Sequence, residues 1–243
     1  MRASIFGLLA LFLTVQLPTL AAAQDLESQE IMVTASRIAF EEDEYDAYNN
    51  ERPAVGLRRT ADFLVQKVTI SGDTRDPKQR ASEIRIMLNE AVKRAGIAGV
   101  ELAFGEYILT PLSIANVDEL TLMNDNRPDS QRVSFLVKAR LSDAQSGIAA
   151  QKRIADYIES VPENGRAQMD GSGDASLSVV GPDSFRLQIT AAIAEDANRL
   201  TTQMGENYAV EVEGLNKPVQ WARSGPSEVF LFIPYKLTVL PRP

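Results

Sequence analysis

Hydrophobic and polar positions alternate most cleanly over residues 131–141. Val133, Phe135, Val137, Ala139 and Leu141 fall on one side, and Arg132, Ser134, Lys138 and Arg140 on the other. A period of two with one apolar face predicts a strand of an antiparallel sheet, buried on one side and wet on the other. Residues 62–71 place Leu64, Val68 and Ile70 on one face and predict a second strand, turned by Gly72-Asp73-Thr74. Weaker patterns predict strands over 100–112, 119–123 and 175–180, and three more pieces follow at 208–213, 219–223 and 228–240. In the last of these, Pro234 removes a ladder donor, so an edge strand or a bulge is expected there.

Between these segments the period lengthens to that of a helix. Asp76 can cap a helix whose first residue is Pro77, where the missing N–H costs nothing. Ala81, Ile84, Leu88, Ala91 and Ala95 then recur at three and four, and Gly96 is the expected stop. A second helix is expected after Ser142 on Ile148, Ile154, Ile158 and Val161, ending at Pro162. A third opens at Gly181-Pro182-Asp183 and carries Ile189, Ile193, Leu200 and Met204 as far as Gly205. The pattern predicts an α+β domain over residues 53–243, with antiparallel sheet packed by about three helices.

The N-terminal part reads differently. Arg2, an apolar run over 5–17, Pro18 and Ala21-Ala22-Ala23 before Gln24 have the design of a cleavable secretion signal at 1–23. The run is shorter than the ~20 apolar residues that a membrane helix needs. Residues 24–52 include the acidic run Glu41-Glu42-Asp43-Glu44 and no sustained apolar period, which predicts a flexible tether. One apolar island interrupts it at 30–37. Its Ile31, Val33 and Thr34 favour the extended peptide that partners capture by strand addition.

Composition narrows the chemistry. The 243 residues contain neither cysteine nor histidine, which removes disulfides, thiolate nucleophiles, His-based triads and Cys- or His-ligated metals. With no cysteine at the cleavage point, lipoprotein anchoring is excluded as well. Catalysis would rest on carboxylates, Lys, Tyr, Ser/Thr or a borrowed cofactor. After signal cleavage, 24 basic residues face 33 acidic ones, a balance that disfavours nucleic acid as a partner. Gly171-Ser172-Gly173-Asp174 lacks the lysine of a phosphate loop and reads as a turn. Asp170, Ser172 and Asp174 have calcium-loop spacing without the required glycine and glutamate. Trp221 is expected to close the core. No cofactor, metal ligand or catalytic residue is assigned, although an acid pair distant in sequence stays open as a glycan hydrolase.

Two resemblances add expectations. The segment Glu30-Ile31-Met32-Val33-Thr34-Ala35 resembles the TonB box of TonB-dependent receptors, just after the signal. That resemblance implies that Ile31, Met32, Val33, Thr34 and Ala35 pair as a strand with a TonB-type periplasmic protein. The chain has no room for a receptor barrel, so the implied role is an adaptor. Residues 53–240 resemble the SIMPL-domain family of bacterial envelope proteins. The resemblance lies in the order of elements, in Val68-Thr69-Ile70-Ser71-Gly72, in Tyr107-Ile108-Leu109-Thr110-Pro111 and in the alanine-rich stretch 191–197. It implies a periplasmic or outer-membrane location, homo-oligomeric assembly, a part in envelope or oxidative-stress defence, and no established catalytic residue.

Overall fold

The computed structural model describes residues 29–33, 52–143 and 146–242. The expected signal at 1–23, the acidic run at 41–44, Thr34 and Ala35 all lie outside the described residues. The fold is α+β, with three α-helices among the described residues and strands that pair antiparallel throughout. None of the described helices is long and apolar enough to cross a membrane.

The central strands are β3 (Phe63–Gly72) and β7 (Gln131–Arg140), paired along their full length. β8 (Gln168–Val180) flanks β3 on its other side, and β1 (Glu30–Val33) flanks β8. On the far side of β7 lie β4 (Glu101–Phe104), β5 (Thr110–Pro111) and the short β6 (Met123–Asn124). The outward face of this sheet carries Leu64, Val68, Ile70, Val133, Phe135, Val137, Leu177 and Val179, all in the main core.

Helices α1 (Pro77–Ala98) and α2 (Gly147–Ser160) cover that face. Asp76 caps α1 by accepting from the Gln79 amide at 2.7 Å, and Ile84, Met87, Leu88 and Ala91 point inward. The helix runs past Gly96, the expected stop, to a left-handed cap at Gly99. Gly96 lies inside the last turn, where glycine is tolerated, and the left-handed residue that ends the helix comes three positions later. Tyr157 of α2 is buried and donates to the Ala91 carbonyl at 2.8 Å, tying the two helices together. Desolvation pushes its phenol well above the ordinary range, so it stays neutral.

The second helix corrects one expectation. Ile154 is buried, but Ile148, predicted in the same stripe, is 83% exposed. The helix begins only at Gly147, and Ile148 falls in its first turn on the outward side.

The last part of the chain divides between two small sheets. β2 (Leu57–Thr60), β10 (Gln220–Arg223) and β11 (Glu228–Phe232) form one; β9 (Tyr208–Glu213) and β12 (Lys236–Pro241) form the other. The alternating run 228–240 is thus two strands, interrupted at Ile233-Pro234-Tyr235. Pro234 offers no N–H, so the ladder stops there and the chain changes partners from β10 and β2 to β9. Trp221 is buried in the main core, as expected. α3 (Arg186–Met204), preceded by a 3-10 turn at Pro182–Phe185, buries Ile189 and Ile193 and packs beside β9.

The contrast within α2 is testable. Ile154→Ala should cost about 2–4 kcal/mol in urea unfolding, whereas Ile148→Ala should stay within about 0.5 kcal/mol. Equal costs would contradict the facing of this helix.

Candidate functional site

Part of the inner face of the large sheet is also buried, although none of the described helices covers it. Phe63 and Val65 of β3, Ala103 of β4, Leu136 of β7 and Leu109 form a second apolar cluster, with Met32 packed against it. The burial comes from closure of the sheet. β1 pairs with β8 on one side, and on the other the Met32 amide donates to the Tyr107 carbonyl at 3.1 Å. The Leu109 amide returns a bond to the Glu30 carbonyl at 3.0 Å, and Ile31 bridges Ile108. Residues 107–109 run directly into β5, which pairs β4. The two ends of the sheet therefore meet across β1, and the ladder forms a ring.

Gly105 makes the return possible. Its φ is +124°, and a Cβ there would sit 2.1 Å from the Ile108 carbonyl oxygen. Any other residue would push the 107–109 segment away from β1.

β1 has side chains in both layers. Ile31 and Val33 enter the main core, while Glu30 and Met32 face the inner cluster. Glu30 forms an ion pair with Lys138, and Ser178 Oγ donates to its other oxygen at 2.5 Å. The Lys138 side chain is only 4% exposed. Its Nζ also lies 3.4 Å from Glu101 and 4.1 Å from the centre of the Phe63 ring. Lys138 was expected on a wet face; Arg140 on that face stays exposed, but closure of the sheet buries Lys138, whose ammonium is held by carboxylates and an aromatic ring.

Residues 30–33, read from sequence as part of a tether, are therefore a strand of the folded domain. Of the five residues predicted to bind a partner, Ile31 and Val33 are buried and Met32 is half-buried within the chain's own sheet. Glu30 and Lys138 escaped the sequence reading. The available signal was a lysine directly after the apolar run Phe135-Leu136-Val137 of the strongest strand.

The other candidates resolve into structure. Gly171, Ser172, Gly173 and Asp174 lie within β8, where the register slips opposite Gln66. The Gln66 amide nitrogen donates to the Ser172 and Gly173 carbonyls at 3.1 and 2.9 Å, so the expected turn is a bulge. Arg58 and Arg59 lie over the Phe230 and Phe185 rings, and Arg59 pairs with Asp62 at 2.8 Å.

A surface cavity of about 490 Å³ is lined in part by Asp73, Asp125, Arg127 and Arg166. Two acids, Asp73 and Asp125, are among its lining residues. Each acid, however, has an arginine: Arg166 holds Asp73 through two bonds of 2.6 and 2.8 Å, and Arg132 lies 3.4 Å from Asp125. The hydrogen-bonded guanidinium keeps the Asp73 carboxyl below its ordinary value, the wrong direction for a proton donor.

Beside this cavity, Glu83 accepts from Thr74 Oγ1 at 2.5 Å, Gln79 Nε2 at 2.9 Å and the Arg166 amide at 3.2 Å. It joins α1 to the turns at the ends of β3 and β8. Comparison with family models, with curated proteins and with solved structures gives no match to this chain.

Two predictions follow from these groups. The hydrogen bonds from Thr74 and Arg166 lower the Glu83 carboxyl from its ordinary 4.5. A lowered folded value stabilises the protein above that pH and is lost as pH falls through it. Glu83→Gln should therefore unfold at lower urea than the native chain at pH 7, with the gap narrowing as pH falls below 4.5. A constant gap would contradict this assignment. Separately, Lys138→Met strands Glu30 and should cost about 3 kcal/mol, most of it recovered by adding Glu30→Gln. A double variant no more stable than the single one would show that the two groups do not act as a pair.

Proposed function

We propose that this is a non-enzymatic protein of the bacterial cell envelope, SIMPL-like in type, that acts through assembly and protein contact. The observation that carries the reading is β1: a four-residue strand, far from its neighbours in sequence, inserted between β8 and residues 107–109. A short strand at the end of a long connection, seated in a slot of matching ladder bonds and charge, is the kind of element that chains lend to one another's sheets. The secretion signal supports the location. The order of strands and helices supports the family type. A chain without thiols suits an oxidising compartment and a part in stress defence.

The test is the molar mass of the mature chain by light scattering at micromolar concentration. An oligomer is expected, and a monomer throughout would overturn the assembly part.

A second reading is favoured by the extended backbone of Glu30–Val33, which is the form a TonB-type protein would capture as a strand. The structure also sets its condition, because Ile31 and Val33 must first leave the core. Capture by an immobilised TonB periplasmic domain should rise at least several-fold with Lys138→Met, which loosens the slot. It should vanish when residues 30–37 are deleted. Equal capture of all three chains would reject TonB docking.

A further inference from the structure

Resting on the strand-slot reading, we infer that β1 exchanges between copies, so that Glu30–Val33 of one chain fills the slot of a second copy of this chain. Every contact that β1 makes is available in the same form from another molecule. Those contacts include the β8 ladder, the bonds to Tyr107 and Leu109, the packing of Ile31 and Val33 in the main core, and the meeting of Glu30 with Lys138 and Ser178. Exchange therefore leaves the number and kind of bonds unchanged. The slot also chooses its occupant by charge: a buried ammonium at Lys138 demands a carboxylate at the first strand position.

Chain length permits the exchange. Eighteen residues, 34–51, separate Val33 from Arg52, and such a segment spans up to about 60 Å when extended. The rim of the slot supplies a reason for two copies to stay together. Ile108 lies across from Ile31, and Val180 across from Glu30. Both are exposed, as is Tyr107, whose carbonyl holds β1. Two chains sharing their first strands bring these apolar rims close enough to cover one another.

The absence of native cysteine makes the exchange directly readable. Met32 and Ser178 are opposed in the β1–β8 register, within reach of a disulfide. Chains carrying only Met32→Cys and chains carrying only Ser178→Cys are unfolded together, refolded at micromolar concentration and oxidised. A disulfide-linked heterodimer joining positions 32 and 178 is expected, its amount rising with concentration.

The double variant, Met32→Cys with Ser178→Cys, is the control. If it closes its disulfide within one chain while the mixture gives no heterodimer, exchange is overturned and the slot reading survives. If it closes no disulfide at all, β1 is not in the slot, and both fail. Should the cysteine chains not fold, unsubstituted light and ¹⁵N-labelled chains are refolded together and coupled with a carbodiimide. Glu30–Lys138 peptides that join light to heavy support exchange; peptides of one isotope only overturn it.

Discussion

The ion pair between Glu30 and Lys138 is the interaction on which the arrangement of the sheet depends. A lysine almost wholly removed from water is tolerable only where a carboxylate meets it, since an unpaired buried charge costs several kcal/mol. Lys138 lies on β7, in the middle of the sheet, and Glu30 arrives from a strand that precedes the rest of the domain. Bringing the two together places β1 beside β8, lets residues 107–109 close on its other edge and seals the inner cluster around Phe63 and Leu136. The Phe63 ring beneath the ammonium and the Ser178 hydroxyl on the carboxylate complete the polar set. The charge pair thus sits where the ring of strands closes, beside the β1 ladder and the buried Ile31 and Val33.

The two faces of the sheet are built by different means. The outer face follows the usual α+β plan, with α1 and α2 laid over aliphatic side chains and bound to each other through Tyr157. The inner cluster has none of the described helices over it and is buried by closure of the sheet. That difference explains the composition of the inner cluster, which mixes a few large side chains with Lys138, Ser178 and Glu30. Glu83 plays a local part at the other end of the sheet, gathering the ends of β3 and β8 onto α1.

Much of this was legible in the sequence. The strands at 62–71 and 131–141 were visible because one face of each carries a period-two apolar series, broken only at Gln66, and the cap at Asp76 with Pro77 has a local cause. The α+β class followed from those elements. Closure was not legible. The reading of 131–141 as half wet was correct for most sheets, but it assumed that charged residues face solvent, and Lys138 does not. Its partner lies 108 positions away, beyond any periodic signal. The break at Pro234 was seen as a weak point in one strand. That the strand would split between two sheets depended on β9 and β2, which no local pattern connects to it. The island at 30–37 was recognised as extended and apolar, and the partner of its described part, Glu30–Val33, is the chain's own sheet.

The central claim is that residues 30–33 close the sheet, and hydrogen exchange at two amides tests it most directly. Met32 donates to Tyr107, and Leu109 donates to Glu30, so both bonds exist only while β1 is seated. The account predicts that both amides exchange far more slowly than in an unstructured peptide, and that deleting residues 30–37 releases Leu109. Exchange of Met32 at the unprotected rate in the intact chain, or protection of Leu109 that survives the deletion, would contradict it.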